Sequence, residues 1–393
     1  MSYKIPMSSP DLTRAEQDAV SEVLKTPILS MGHWVVEFEK AFLDLTGRAH
    51  AIAVSSGTAG LHLCVRAAEI GADDLVITTP FSFVASANVL LYERAIPIFV
   101  DVSPSTGNID PELVTQATSD LSAGGSRAER WLPRRGRGKT GRLKAILAVD
   151  VFGQPADLDR LRETADGAGI KLIEDSCEAL GAEYKGRLAG TTGDYGVFAF
   201  YPNKQITTGE GGVVITNDGP GATLMRALRN QGRAPGDTWL QHTHLGYNYR
   251  LDEMSAALGV VQMRRLPELL VKRERVAGWY AERLAKVPGV RVSVIEPYTT
   301  RMSWFVYVVH FDGNLSRDDL AQRLAAKGIP VRPYFLPIHL QPYMADRFGF
   351  RQGDFPFTED LGRRGLALPF SGLMKEDDVD MVCGVIREEL SAA

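Results

Sequence analysis

Short apolar runs alternate with stretches of helical periodicity through the first half of this chain. The strand-like runs begin at Ala51 and recur at residues 75–79, 96–100, 145–149, 171–174 and 213–216, and helical patterns occupy residues 60–69, 84–92 and 157–166. This alternation predicts an α/β fold, with a sheet of mostly parallel strands and helices on both faces. Ligand sites in such sheets lie outside the carboxyl ends of the strands. Residues that follow the apolar runs are therefore the first candidates for function.

The two ends of the chain extend this pattern. Residues 11–24 predict a helix capped by Asp11, and residues 38–46 predict another helix before the strand at Ala51. From about Leu251 a long helical pattern leads to a C-terminal part with strand-like runs at 306–311 and 331–334. A chain of 393 residues with 45% hydrophobic residues can bury a large core. We predict a large domain over residues 1–250 and a small α+β domain over residues 251–393.

Composition narrows the class of protein. The net charge of −4 gives no reason to expect a nucleic-acid partner. The three cysteines, Cys64, Cys177 and Cys383, are scattered through apolar surroundings, as is typical of a reducing compartment. The N-terminus has no apolar signal core, and no apolar run is long enough for a membrane span. The seven histidines have no metal-ligand spacing. We expect a cytoplasmic protein with no membrane contact and no metal.

One lysine stands between an apolar, aromatic run and a Gly-rich run. Lys204 follows residues 196–201 and precedes residues 209–212. An amine at the end of a buried strand is partly desolvated, which favours its neutral form and lowers its pKa. A neutral lysine amine attacks carbonyls and forms Schiff bases, as pyridoxal phosphate requires. Alone, the pattern fits a surface lysine equally well.

A pair of acids follows an earlier strand-like run. Asp175 ends the run that begins at Lys171, and Glu178 lies three residues further on. A carboxylate at a strand end can keep the ring nitrogen of a pyridoxal cofactor protonated, so that the ring acts as an electron sink. Glu178 would then be near the cofactor's phenolic oxygen. The alternative is that both acids complement a helix dipole.

A turn of small residues lies between the strand at Ala51 and the helix that follows. Gly57, Thr58 and Ala59 form this turn. Free backbone N–H groups at a helix start bind phosphate, and small residues let the phosphate approach closely. Many strand-to-helix turns have this composition, so the turn gains weight only together with Asp175 and Lys204.

With these motifs in this order, the sequence resembles the DegT/StrS family of sugar aminotransferases, fold-type I enzymes that use pyridoxal phosphate. The resemblance covers nearly the whole chain. It is carried by Ile5-Pro6-Met7-Ser8-Ser9-Pro10-Asp11, Gly32 through Glu39, Ser56-Gly57-Thr58-Ala59, the segment 80–88, Asp101-Val102, Glu174-Asp175, Asn203-Lys204-Gln205, Glu210-Gly211-Gly212, Gly246-Tyr247-Asn248-Tyr249-Arg250 and Pro337-Ile338-His339. It implies a seven-stranded large domain, a Schiff base on Lys204 and pairing of Asp175 with the pyridine nitrogen.

The resemblance also implies roles for residues that local patterns leave open. Phe83 would stack on the pyridine ring, although a core phenylalanine is an alternative. Asn248 would reach across a homodimer interface to the phosphate, and the alternative is a turn asparagine. His339 and Tyr334 would lie on the substrate side, although His339 could equally be a core residue.

Two features depart from the family pattern. Ala199 stands where many relatives have a serine that donates to the phosphate, so Asn248 and the turn at Gly57 would carry more of that contact. Residues 120–142 form a basic Gly/Arg-rich insert that is longer than the family usually has. Within it Gly138-Lys139-Thr140 resembles part of a P-loop, but the required first glycine would fall at Pro133. We expect the insert to emerge at the amino ends of the strands, away from the site.

The function implied is transamination of a keto sugar, with a nucleotide-linked keto-deoxysugar as the expected substrate. Glutamate or glutamine would be the amino donor, and pyridoxamine 5′-phosphate would be the intermediate form of the cofactor pyridoxal 5′-phosphate. A pyridoxamine-dependent sugar dehydratase of the same fold is a rival, but in this family it replaces the lysine with histidine, and Lys204 argues against it. A cyclitol aminotransferase and a non-catalytic binding or regulatory member are further alternatives.

Overall fold

Helices and strands alternate through the residues that the computed structural model describes, namely 4–136, 141–312 and 315–392. The strands are β1 His50–Val54, β2 Leu75–Thr78, β3 Ile96–Phe99, β4 Leu143–Val149, β5 Lys171–Asp175, β6 Glu183–Tyr184, β7 Arg187–Leu188, β8 Tyr195–Ala199, β9 Gly212–Thr216, β10 Val290–Val292, β11 Thr299–Arg301, β12 Tyr307–Phe311, β13 Arg332–Pro333 and β14 Gly365–Leu368. The helices are α1 Arg14–Leu24, α2 His33–Thr46, α3 Gly57–Ala67, α4 Ala85–Tyr92, α5 Pro111–Ala123, α6 Gly125–Glu129, α7 Leu158–Ala168, α8 Gly219–Arg229, α9 Glu253–Leu284, α10 Arg317–Ala326, α11 Pro342–Phe348, α12 Pro356–Arg364 and α13 Glu376–Ser391.

The central sheet has seven strands in the order β1-β9-β8-β5-β4-β2-β3. Neighbouring strands from β8 to β3 are parallel, whereas β9 is antiparallel to both β8 and β1. The prediction of a mostly parallel, seven-stranded sheet is therefore confirmed. The carboxyl ends of the parallel strands and the amino end of β9 meet at one edge, where the sequence places its candidate site residues.

Both faces of the central sheet are covered by other elements. Successive residues of a strand point to opposite faces, so one strand shows the packing on both. In β4, Ala145 and Leu147 pack in one hydrophobic cluster, whereas Ile146 and Ala148 pack in another on the opposite face. Strands buried on both faces read as continuous apolar runs, which explains why the sequence shows them so clearly.

The C-terminal part forms a separate four-stranded antiparallel sheet in the order β10-β12-β14-β13. The 32-residue helix α9 leads to it from the central sheet, and Asp252 caps this helix by accepting a hydrogen bond from the N–H of Ser255 at 2.9 Å. Contacts cross the boundary predicted at residue 250: Ile5 belongs to the C-terminal core, and Phe348 packs in a cluster beside the central sheet. The two-domain division stays a prediction.

The N-terminal helix begins later than the sequence pattern predicts. Its cap is Thr13, which forms a capping box with Glu16, so the prediction that Asp11 caps the helix is wrong. Asp11 instead accepts hydrogen bonds from Arg265 and Lys272 of α9, at 2.8 and 2.7 Å. These ion pairs tie the N-terminal segment to the long helix.

The insert lies along the edge of the central sheet. Its beginning belongs to α5 and α6, and Gly141 to Leu143 lie beside Leu75, at the amino ends of the strands, as expected. The expectation is incomplete, because Arg134 crosses to the C-terminal part and binds Asp354 with both terminal guanidinium nitrogens, at 2.5 and 2.7 Å. Residues Gly138-Lys139-Thr140 lie outside the described residues.

None of the helices in the described ranges combines the length and the apolar character that a bilayer crossing requires.

Candidate active site

A cavity of about 510 Å³ opens at the carboxyl edge of the central sheet. Val149, Asp175 and Ala199, the last residues of β4, β5 and β8, line it together with Gly211, which precedes β9. Lys204 lines the same cavity from the loop that joins β8 to β9. Sheet topology therefore brings the three motifs of the sequence into one site.

The start of α3 forms one wall. Gly57 and Thr58 line the cavity, and their backbone N–H groups donate to no other group in the described part of the chain. A side chain cannot replace the hydrogen of Gly57, because its Cβ would lie 2.7 Å from Cβ of Ala199 and 2.9 Å from Sγ of Cys177. The helix start can therefore offer free donors to an anion that approaches the backbone closely.

Ala59 differs from the other two residues of this turn. It does not line the cavity, and its N–H donates to Oγ of Ser56, the N-cap residue, at 3.1 Å. The prediction that Ala59 binds the cofactor therefore has to be corrected: its donor is already used to cap the helix.

Asp175 presents a buried carboxylate to the cavity. Its side chain accepts a hydrogen bond from the N–H of Cys177 at 3.2 Å. Burial raises the pKa of Asp175, while the bonds from Cys177 and the positive charge of Lys204 oppose that rise. A carboxylate in this setting gains from a cationic partner such as a protonated ring nitrogen.

Lys204 is held between an acid and an aromatic ring. Its Nζ lies 3.8 Å from Oε1 of Glu178 and 3.8 Å from the ring centroid of Phe305. The lysine side chain is 12% exposed, which agrees with the desolvation expected from its sequence context. Glu178 also accepts the N–H of Phe152 at 2.9 Å, and burial raises the pKa of this carboxyl while Lys204 opposes the rise.

Aromatic side chains surround the rest of the cavity. Phe83 is 64% exposed and lines it, so the alternative that Phe83 is a core residue does not hold. Tyr334 and Phe335 line it from the C-terminal part. Burial raises the pKa of Tyr334 to about 12, so its phenol stays protonated and can donate a hydrogen bond near neutral pH.

His339 lies elsewhere. Its ring is fully buried, forms a 3.0 Å hydrogen bond with Glu359 and packs edge-on against Phe355. It does not line the cavity of Lys204. The expectation that His339 faces the substrate is therefore wrong within this chain, and the alternative of a core histidine is the correct one.

Asn248 also lies outside the cavity, but it is exposed rather than buried. In the described part of the chain its side-chain amide bonds to no other residue, while its backbone pairs with Asn230. The amide is free to reach another molecule, as the family resemblance implies.

Several residues of the cavity were missed by sequence reasoning. They are Ser56, Leu61, Ala85, Val149, Cys177, Tyr201, Asn203, Glu210, Gly211, Phe305 and Phe335. Ser56, Asn203, Glu210 and Gly211 stand in motifs that carry the family resemblance but were given no role in the site. Tyr201 could have been found by extending the motif at Lys204. Phe305 comes from a remote segment, and nothing in its local sequence marks it.

The donor set of the cavity fits pyridoxal phosphate. A helix start with free N–H groups suits the phosphate, a buried carboxylate suits the ring nitrogen and a partly buried lysine suits the aldehyde. No side-chain hydroxyl stands at Ala199. Ser56, which lines the cavity, accepts the N–H of Ala59 in capping α3, so its own O–H can still donate to a phosphate.

Comparisons with known proteins agree with this reading. Residues 10–387 match the model of the DegT/DnrJ/EryC1/StrS aminotransferase family. A GDP-perosamine synthase from Caulobacter vibrioides is 38% identical over 393 residues, covering 98% of each chain. A GDP-perosamine synthase from Escherichia coli O157:H7 is 33% identical over 385 residues, again covering 98% of each. The crystal structure of S. venezuelae DesV in complex with a ketimine intermediate superposes with a TM-score of 0.86 at 30% identity, covering 99% of each chain.

Proposed function

This chain belongs to the DegT/DnrJ/EryC1/StrS aminotransferase family and is a pyridoxal-phosphate-dependent aminotransferase, and we propose that it aminates a nucleotide-linked keto-deoxysugar. The observation that carries the substrate class is the 38% identity, over 98% of both chains, to a GDP-perosamine synthase. GDP-linked keto-sugars are therefore the first candidates. Glutamate or glutamine serves as the amino donor.

Lys204 is the residue that binds the cofactor covalently. When bound, pyridoxal phosphate supplies an electron sink that stabilises negative charge at the donor's α-carbon. With the cofactor bound, the amine of Lys204 would carry a proton between the donor's α-carbon and the cofactor's C4′. Glu178 and Phe305, each 3.8 Å from Nζ, keep the amine at the cavity.

Asp175 keeps the ring nitrogen protonated, and the turn at Gly57 and Thr58 holds the phosphate. Phe83 packs on the ring, and Glu178 lies near the phenolic oxygen. Tyr334 is positioned to donate a hydrogen bond to the substrate, because its phenol lines the cavity and stays protonated. The family resemblance implies these roles, and the common cavity of the side chains supports them.

The active unit is a homodimer in which Asn248 completes the partner's phosphate site. Exposed apolar side chains near Asn248 support this proposal: Trp239 is 81% exposed and Leu245 is 87% exposed. Large apolar side chains that stand in solvent favour burial against another chain. A cytoplasmic location stays a prediction.

A substrate panel tests the proposed acceptor. The purified protein, loaded with pyridoxal phosphate, is incubated with glutamate or glutamine and with GDP-, dTDP- and UDP-linked keto-sugars, and the amino sugar is measured by mass spectrometry. We expect amination of at least one GDP-linked keto-sugar, with one 2-oxo acid formed for each amino group transferred. Conversion of a keto-cyclitol while every nucleotide sugar is refused would contradict the proposal and favour a cyclitol aminotransferase.

A further inference from the structure

A buried arginine of the long helix holds the backbone of the Lys204 loop. Arg273, in α9, is 4% exposed. One of its terminal nitrogens, Nη2, donates to the backbone carbonyls of Asn203, at 3.1 Å, and Lys204. The other, Nη1, donates to the carbonyls of Trp304 and Phe305, both at 3.3 Å. A single guanidinium therefore joins two segments that lie about a hundred residues apart in the sequence.

These two segments carry the groups that meet at the reactive amine. One contains Lys204, and the other contains Phe305, whose ring centroid lies 3.8 Å from Nζ. The distance between amine and ring depends on how the two backbones are placed relative to each other. Arg273 hydrogen-bonds to both backbones and does not line the 510 Å³ cavity, although it and Lys204 both line a second, much smaller cavity.

The surroundings of Arg273 are unusual for a buried cation. Its bonds in the described part of the chain all go to backbone carbonyls, and none goes to a carboxylate. Burial lowers the pKa of Arg273 to about 10, and the charge of Asp11 opposes that drop. Asp11 itself is paired with Arg265 and Lys272. A buried cation without a paired acid costs stability, so the presence of Arg273 at this position points to a role other than stabilisation.

We propose that Arg273 is a positioning residue for catalysis, which fixes the backbone of Lys204 against that of Phe305 and so sets the place of the reactive amine. The inference rests on the proposed role of Lys204. Arg273 touches neither cofactor nor substrate and acts only through the four carbonyls. A lysine at this position keeps the charge but lacks the planar fork that joins two pairs of carbonyls.

Arg265 provides a matched control on the same helix. It lies two turns earlier, is largely buried and also donates several hydrogen bonds, but its acceptors are Asp11, Glu16 and Glu268. None of these residues lines the 510 Å³ cavity, although Asp11 lines the smaller cavity that Lys204 and Arg273 share. Loss of Arg265 therefore reports the cost of removing a buried arginine from α9 without a change at the site.

The test compares Arg273→Met, Arg273→Lys and Arg265→Met with the wild type. For each protein we would measure the melting temperature, the Kd for pyridoxal phosphate, the single-turnover rate with glutamate and the pH midpoint of the bound cofactor's visible absorbance. Both Arg273 variants should lose about 10- to 100-fold in rate, the loss expected when a reacting group is displaced by about an ångström, with the Kd changed far less. The pH midpoint of the cofactor's visible absorbance should shift in both Arg273 variants. It should shift in Arg273→Lys even though that variant keeps the positive charge.

Arg265→Met should lower the melting temperature while its rate and pH midpoint stay close to the wild-type values. If a folded Arg273→Lys protein keeps both the wild-type rate and the wild-type pH midpoint, the proposal is overturned. Arg273→Lys alone serves as the test in case Arg273→Met does not fold. Borohydride reduction of the wild type, with mapping of the modified lysine, separates this inference from its premise. An adduct on another lysine would refute the role of Lys204, whereas an adduct on Lys204 with unaffected Arg273 variants would refute only the role of Arg273.

Discussion

The amine of Lys204 lies 3.8 Å from Oε1 of Glu178, and both side chains are largely buried, with 12% and 8% of their surfaces exposed. The second carboxylate oxygen of Glu178 accepts the N–H of Phe152 at 2.9 Å. The acid is thus bonded to the segment that follows β4, and the lysine lies at the strand edge that also presents Asp175. The amine and both acids therefore meet at one edge of the sheet.

Asp175→Asn should slow catalysis much more than it weakens cofactor binding. A neutral amide cannot hold the ring nitrogen protonated, so we expect a loss on the order of 10²- to 10³-fold in the single-turnover rate with glutamate. The control is Asp150→Asn. Asp150 is a buried neighbour that accepts hydrogen bonds from Ala156 and Ser176 but does not line the cavity, so its rate should stay near the wild-type rate. Equal rates for Asp175→Asn and the wild type would remove Asp175 from the mechanism.

Glu16→Gln should change how stability depends on pH. Burial alone would raise the pKa of Glu16, but hydrogen bonds from Thr13, Arg265 and Gln262 outweigh it and lower the pKa to about 2. A depressed pKa stabilises the fold above the ordinary value of 4.5, and this stabilisation is lost as the pH falls from 4.5 toward 2. At neutral pH the variant should lose about 3 kcal/mol of unfolding free energy.

The advantage of the wild type over Glu16→Gln should therefore shrink as the pH is lowered from 7 to 3 in thermal or urea unfolding. Glu22→Gln is the control, because Glu22 lies on the same helix but is 62% exposed and pairs only with Lys25. A difference between Glu16→Gln and wild type that is constant over this range would disprove the assignment.

Replacing insert residues 124–140 with a short Gly/Ser linker should preserve the half-reaction with glutamate, because none of the insert residues that the structure describes lines the 510 Å³ cavity. The melting temperature should fall, since the hydrogen bonds of Arg134 to Asp354 and of Trp131 to Asp120 are lost. Arg134→Ala alone should cost about 1 kcal/mol or less, because Arg134 is half exposed. A half-reaction that collapses in the folded replacement would mean that the insert reaches an active site of its own chain or of the partner.

Subunit mixing tests the proposed role of Asn248. Lys204→Ala removes the covalent attachment, and Asn248→Asp sets a carboxylate against a phosphate, so each homodimer should be nearly inactive. If the two chains exchange freely, about half of the dimers are mixed, and each mixed dimer has one site with an intact Lys204 and an intact Asn248 from opposite chains. Activity should then recover to roughly a quarter of the wild-type value. No recovery under verified exchange would mean that Asn248 acts within its own chain or not at all.

The strands of the central sheet, and the strand edge at which the site lies, could be predicted from the sequence because they depend on local patterns. Strands buried on both faces appear as apolar runs, and parallel topology then places Asp175, Lys204 and the turn at Gly57 at one edge. The true cap of α1 also had a signal: Thr13 and Glu16 have the spacing of a capping box, which outweighs Asp11.

Long-range contacts could not be predicted. Phe305 and Arg273 reach Lys204 from segments about 70 to 100 residues away, and no local period marks such partners. His339 shows the reverse error. Its motif indicated a site residue, but in the structure its ring is buried in the core. There it forms a hydrogen bond with Glu359 and packs against Phe355.

Trapping the bound cofactor with borohydride tests the central claim most directly. The purified protein, loaded with pyridoxal phosphate, should show a visible absorbance band that reduction abolishes, and peptide mapping should then find one stable pyridoxyl adduct, on Lys204. The Lys204→Ala protein should carry no such adduct. An adduct on a different lysine of the wild type, or an undiminished adduct in Lys204→Ala, would contradict the account.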